Sequence, residues 1–319
     1  MPARAIYRGA SFGYPSKARP RSVEVPCTLA SRRATANSTH LMSTTTQSYD
    51  SAAPRRAIID PFVNMWRNRS LIKLLVGRDL TLRYKRSVLG VWWTILNPLL
   101  TTLVYWFVFS AIFRRTAGTE VPFVVYLLSG TLLVSVFFSQ GSIAGGSSLM
   151  SGRPILSKIR VPGEVFAVTA ALAAAVNFLI GMILLLLIQP ALGWNIPWTV
   201  ILTPIPTLAM LVFVTGFGML IASAAIHFYD VLDFVRVILQ MVIWLVPTFY
   251  PIEMIPENLR ILVEINPLYS YLVVFRGFVY EGVFAPTWNF VYMGASAVLM
   301  LLVGVWVFSK SWKQAAVRL

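Results

Sequence analysis

Six predominantly apolar stretches decide what this chain can fold into; they cover residues 91–113, 121–144, 165–188, 199–226, 231–250 and 289–308. A helix rises 1.5 Å per residue, so about 20 apolar residues cross a hydrocarbon core roughly 30 Å thick. Within lipid, every backbone N–H and C=O must be bonded inside the protein, which leaves only helices and closed barrels. Barrel strands alternate in polarity, and these stretches do not. Charged residues make up 12% of the 319-residue chain, against about 25% in soluble domains. Most of the surface must therefore face lipid, and the expected fold is an all-α integral membrane protein with six transmembrane helices. The stretch 231–250 is the least clean, because Asp233, Arg236 and Gln240 fall in its first turns.

The distribution of the +15 net charge speaks to topology rather than to nucleic acid, for which no motif is present. Counted from residue 58 onward, fourteen Lys and Arg fall on one side of the six stretches: before the first, between the second and third, at the start of the fifth and after the sixth. Four fall on the other, namely Arg114, Arg115, Arg260 and Arg276. The positive-inside rule then places both termini in the cytoplasm of a multi-pass protein of the cytoplasmic (inner) membrane. The single cysteine, Cys27, excludes an intrachain disulfide framework and a multi-cysteine metal site.

Residues 1–57 are rich in Arg, Ser, Thr, Pro and Ala, lack the apolar core of a signal peptide, and read as a disordered basic tail. An inert extension is the reading adopted for them, a partner-binding tail the alternative; Met1 and Met42 are both candidate starts. Order is expected from Asp60-Pro61, an N-cap followed by proline at the first helical position, so the membrane domain spans 58–319. Over 62–86 apolar residues such as Trp66, Ile72 and Leu75 intermingle with cations at near-helical spacing. This pattern fits an amphipathic helix in the membrane interface. The segment 251–288 is apolar yet divided by Pro251, Pro256, Pro267 and Pro286. Two short helices of a re-entrant outer region are expected there.

No phosphate-binding loop of the form G-x-x-x-x-G-K-[ST] is present, so the chain is not expected to be its own ATPase. Charges deep within the spans would mark an ion relay, and stretches one to four and six have none between their ends. Asp230 and Asp233 share a helix face and could hold a divalent ion, but helix capping and pairing with Arg236 account for them better. His227 reads as a polar residue at a helix end. Aromatic side chains are the main polar-capable resource inside the spans. Tyr105, Trp106 and Phe109 of the first, with Trp244 and Tyr250 of the fifth, suit either helix packing or the apolar faces of sugars.

The run Arg78-Asp79-Leu80-Thr81-Leu82-Arg83-Tyr84-Lys85-Arg86, continuing through Gly90 and Trp92-Trp93 to Leu96-Asn97-Pro98, resembles the opening of ABC-2-type permeases. It is similar to the subfamily exporting polysaccharides and polyol phosphates, which includes O-antigen, teichoic acid and actinobacterial lipid-linked galactan permeases. Leu156-Ser157-Lys158-Ile159-Arg160-Val161-Pro162, Phe228-Tyr229-Asp230-Val231, Pro247-Thr248-Phe249-Tyr250-Pro251, Asn266-Pro267-Leu268 and Phe275-Arg276-Gly277 resemble further stretches of that subfamily, in order.

The resemblance implies a homodimeric permease working with two copies of a separate ATP-binding subunit. That partner would bind ATP and Mg, leaving no cofactor in this chain, and the substrate would be a polyprenyl-linked glycan. It implies that residues 151–162, with Arg153, Leu156, Lys158 and Arg160, dock on the ATPase. It further implies that the helix before the first span gates the substrate path. Arg78, Arg83, Tyr84, Lys85 and Arg86 would meet the lipid phosphate there, although anionic lipid headgroups select the same residues. Tyr105, Trp106, Phe109, Trp244 and Tyr250 would line the channel. Two other readings are a drug or small-lipid efflux permease of the same fold, and a membrane-embedded glycosyl- or phosphotransferase using Asp230 and Asp233.

Overall fold

The structure is a computed structural model that describes residues 59–319 apart from 86, 113–120, 159–160, 229 and 319; the tail 1–57 lies outside the described residues. All regular structure among the described residues is helical. Two helices, α1 (Ile59–Arg67) and α2 (Arg69–Tyr84), precede the first span and are separated at Asn68, whose amide donates to the Asn64 carbonyl. Among the described residues, five helices are long and apolar enough to cross a membrane: Trp92–Ser110, Phe123–Leu156, Glu164–Ala191, Trp198–Ala225 and Thr287–Trp312. The protein is thus an all-α integral membrane protein.

The first crossing contains α3 (Trp92–Phe107) and a π-helical end, Val108–Ile112. The second joins α4 (Phe123–Gly130), a π-helical stretch Thr131–Ser139 and α5 (Gln140–Leu156). Its 34 residues reach about 50 Å, well past the end expected at residue 144. Arg153 and Leu156 are therefore in the last turns of a long helix, not in a loop. The third and fourth crossings are α6 (Glu164–Ala191) and a 3₁₀ turn leading into α7 (Pro204–Ala225).

The fifth apolar stretch departs from expectation. Its helix, α8 (Val231–Leu245), has 15 residues and reaches only about 22 Å, too short to cross alone. It stops because Val246 precedes Pro247; the proline ring disfavours helical geometry in its predecessor, and Val246 is extended at ψ 138°. The following segment forms α9 (Glu257–Glu264) and α10 (Pro267–Arg276), with a π-helical end at Gly277–Glu281. α9 and the α10 segment meet at 90°, the geometry of a broken span or a re-entrant hairpin, in line with the two short helices expected. α10 is anchored to the last helix, α11 (Thr287–Arg318), where the Tyr271 hydroxyl donates to the Met293 carbonyl at 3.0 Å.

α7 is the central helix and packs on α5 and α11. A side chain at Gly304 would lie 2.1 Å from the Gly216 carbonyl oxygen, and one at Gly145 2.9 Å from the Gly218 Cα. Small residues let helix backbones approach where lipid supplies no hydrophobic drive for association. One buried cluster fills the bundle from α4 to α11. A second cluster joins Ile72 and Leu75 of α2 to Phe166 of α6 and Phe308 and Trp312 of α11. Of the apolar face expected for the amphipathic segment, Ile72 and Leu75 are buried by protein, whereas Trp66 and Leu82 are exposed.

Candidate functional site

α2 lies against α6, and between α2, α5 and α6 the chain leaves a cavity of about 140 Å³. Three helical faces build it at i, i+3, i+4 spacing: Leu75, Arg78, Asp79 and Arg83 from α2; Gln140, Ala144, Ser147 and Ser151 from the second crossing; and Thr169, Ala170, Ala173 and Asn177 from α6. Small residues on the facing helices provide the room. A second cavity, of about 290 Å³, is bordered by Ser87, Trp93, Thr94 and Asn97 at the start of the first crossing. It shares Arg83, Val136, Gln140 and Asn177 with the first cavity. The two together form one groove.

The groove is polar to a depth where polar groups are costly. Gln140 opens the 17-residue α5, about 24 Å from Leu156, and Asn177 lies about 20 Å along α6 from Glu164. Several of the hydroxyls satisfy themselves on their own helices: Ser147 donates to Ile143 at 3.0 Å, Ser151 to Ser148 at 3.0 Å, and Thr169 to Val165 at 2.7 Å. Hydroxyl oxygens retain acceptor capacity after such bonds. Gln140 is exposed and makes no side-chain hydrogen bond among the described residues.

At the mouth, Arg78 and Arg83 flank Asp79. Though its surface is exposed, the protein withdraws enough water from the Asp79 carboxyl to push its pKa above the usual carboxylate range, while Arg78 and Arg83 pull it back.

The aromatic residues of the first and fifth stretches meet on a different face, at a residue that links them. The Phe249 ring lies 4.5 Å from that of Tyr105 and 5.0 Å from that of Trp244, and the Tyr250 hydroxyl donates to the Trp244 carbonyl at 2.6 Å. Phe109 packs edge-on against Phe123 at 6.2 Å. Trp106 is rotated about 100° from Tyr105 around the helix and is exposed. Tyr105, Phe109, Trp244 and Tyr250 thus fall in one neighbourhood, from which Trp106 points away.

Of the cations expected at the gate, Arg78 and Arg83 border the groove and Lys85 is exposed, whereas the Tyr84 side chain and Arg86 lie outside the described residues. Of those expected to meet an ATPase, Arg153 and Lys158 are exposed, Leu156 packs against the α2–α6–α11 cluster, and Arg160 lies outside the described residues. Asp233 pairs with Arg236 at 2.5 Å, while the Asp230 side chain makes no capping bond.

Arg276, counted from sequence among the outer-loop cations, is buried. Its guanidinium donates to Pro247 O at 2.8 Å, Tyr126 O at 3.1 Å, Thr248 O at 3.2 Å and Ser129 Oγ at 3.3 Å. Sequence reasoning also passed over Gln140 and Asn177. Their signal was a single amide in each of the expected stretches 121–144 and 165–188, at positions that only packing brings together.

Residues 70–280 match the model of the family described as ABC-2 type transporter. The O-antigen export system permease protein RfbA of Myxococcus xanthus is 29% identical over 219 residues, covering 68% of this chain and 83% of that protein. RfbA of Klebsiella pneumoniae is 26% identical over 250 residues, covering 75% and 91%. The capsule polysaccharide export inner-membrane protein CtrC of Neisseria meningitidis is 24% identical over 254 residues, covering 76% and 91%. With a match that takes in α2 through α10 and four of the five apolar helices, the chain belongs to the ABC-2 type transporter family.

Proposed function

We propose that this chain is the membrane-spanning permease of an ATP-driven exporter that moves a lipid-linked polysaccharide across the cytoplasmic membrane. One observation carries the reading: a groove that brings Arg78 and Arg83 of α2 together with uncharged amides and hydroxyls of the second crossing and α6. Guanidinium groups suit phosphate oxygens, and amides and hydroxyls suit sugar hydroxyls. The relatives named for O-antigen and capsule polysaccharide export support the same substrate class.

In this reading the transporter domain runs over 58–319 and leaves 1–57 outside it. Both termini are cytoplasmic, and α2 lies at the inner interface as the gate. Arg78, Arg83, Tyr84, Lys85 and Arg86 meet the lipid phosphate. Two copies of the chain assemble with a separate ATPase subunit, which binds ATP and Mg. Arg153, Leu156, Lys158 and Arg160 at the end of α5 and the turn beyond it receive the ATPase's motion. Leu156 and α2 touch the same apolar cluster, so a push there has a packed route to the gate. Tyr105, Phe109, Trp244 and Tyr250, with Trp106 across the helix, line the path for the glycan.

The test is purification of the tagged chain from its native membrane in mild detergent. The expected outcome is a stoichiometric partner carrying a phosphate-binding loop, with ATPase activity that the lipid-linked glycan stimulates. A chain that travels alone through several detergents and turns over a lipid-linked sugar donor would sink the transport reading.

A further inference from the structure

We propose that the groove beneath α2 is, within each single copy of the chain, a binding site for one sugar phosphate head group. Arg78 and Arg83 hold the phosphate, and Gln140 and Asn177 read the hydroxyls of the adjoining sugar. The proposal rests on the glycan reading above and deepens it, because it makes one saccharide unit, rather than the bulk polymer, the thing recognised.

The residue that carries the argument is Gln140. A primary amide halfway along a spanning helix is costly in hydrocarbon unless it faces protein or water. Gln140 is exposed, forms no side-chain hydrogen bond among the described residues, and borders both cavities. Asn177, on the facing helix, borders both as well. An amide offers two donors and an acceptor, which matches a hydroxyl that both gives and takes a hydrogen bond. A cation would call instead for carboxylates, and among the described residues the groove is lined by one, Asp79, which lies near Arg78 and Arg83.

Space points the same way. Ala144, Ala170, Ala173 and Ala174 alternate with the polar residues along the lining, so room is held open where larger residues would have closed the helix contact. The two cavities, about 140 and 290 Å³, suit a small head group; sites for drug-sized ligands run about 300–1,000 Å³. Arg83 belongs to both cavities and so places the phosphate next to the amides rather than apart from them.

The experiment uses the full-length permease in lipid nanodiscs and reads ligand binding from tryptophan fluorescence, since Trp93 borders the second cavity. The probes are a farnesyl diphosphate carrying one hexose, farnesyl diphosphate without sugar, inorganic phosphate, and phosphatidylglycerol in the disc. The sugar-bearing compound is expected to bind about tenfold more tightly than the bare diphosphate, the scale of one well-made polar contact. Gln140→Leu is expected to erase that preference while leaving the bare compound's affinity unchanged, and Arg83→Gln to weaken both. Gln140→Ala, which removes the amide without adding bulk, gives the same comparison should the leucine variant fail to fold.

Equal binding of the two prenyl compounds, or a preference that survives Gln140→Leu, would overturn the sugar site and leave glycan export standing. Phosphatidylglycerol or free phosphate competing as well as the sugar compound would overturn it in favour of a lipid or anion site. Failure of every prenyl diphosphate to bind would remove both this proposal and the phosphate-gate reading beneath it.

Discussion

The guanidinium carbon of Arg276 lies 3.7 Å from the centre of the Tyr126 ring, while the same Tyr126 hydroxyl donates to Pro247 O at 3.0 Å and Tyr250 O at 2.8 Å. Three parts of the chain converge here: the end of α10, the start of the second crossing, and the extended segment after α8. A buried cation is tolerated because carbonyl oxygens surround it and an aromatic face caps it. This one knot fixes where the bent α9–α10 unit sits on the bundle.

Arg276→Met is expected to destabilise the protein by about 3 kcal/mol, since several buried acceptors lose charged donors at once. Tyr126→Phe keeps the stacked ring and loses only two hydroxyl contacts, so about 1 kcal/mol is expected. Thermal unfolding in detergent, followed by circular dichroism, checks the order; a smaller effect for Arg276→Met than for Tyr126→Phe would contradict the account.

Gly304→Ala is expected to reduce folded yield sharply, because its methyl group would fall 2.1 Å from the Gly216 carbonyl oxygen at the α7–α11 contact. Gly294, on the same helix, has open space where a Cβ would go. Gly294→Ala is expected to be neutral or stabilising, by up to about 1 kcal/mol from helix propensity. Size-exclusion profiles of the two variants provide the comparison.

Phe249→Ala is expected to cost about 3–5 kcal/mol by opening a cavity at a ring that is fully buried between Tyr105 and Trp244. Alanine at Tyr105 or Trp244, both partly open, is expected to spare folding and membrane insertion but lower export. Export assayed in cells against the amount of protein in the membrane separates the two classes. Normal export from the Tyr105, Trp106, Phe109 and Trp244 variants alike would remove the channel assignment.

Asp79→Asn tests the mouth of the groove by its pH dependence. The Asp79 pKa is raised in the folded protein, so folding favours the protonated carboxyl. Its contribution is therefore fully present below the ordinary carboxylate pKa and is lost as pH rises through the raised folded value. The asparagine variant is expected to match the parent in acid and to be the more stable at neutral pH. Melting curves across pH 3–8 read the crossing directly.

The class of this protein follows from its sequence because lipid leaves so few choices. A 24-residue apolar run such as 165–188 has to be a helix, and α6 extends over it with one residue added before it and three after. Prolines were equally legible in principle: the Val246–Pro247 step ends α8, and Pro267 starts α10 at the first helical position. What periodicity does not contain is which faces meet. Gln140 and Asn177 are 37 positions apart, each a solitary amide in an apolar run, and only the α5–α6 contact makes them two walls of one groove. Arg276 looked like a loop cation because its acceptors, at Tyr126, Pro247 and Thr248, come from segments far away in the chain. Local sequence thus determined the helices and the solvent they live in, since those depend on hydrocarbon and backbone bonding alone. Tertiary packing decided the site, because a polar group's role depends on what is brought opposite to it.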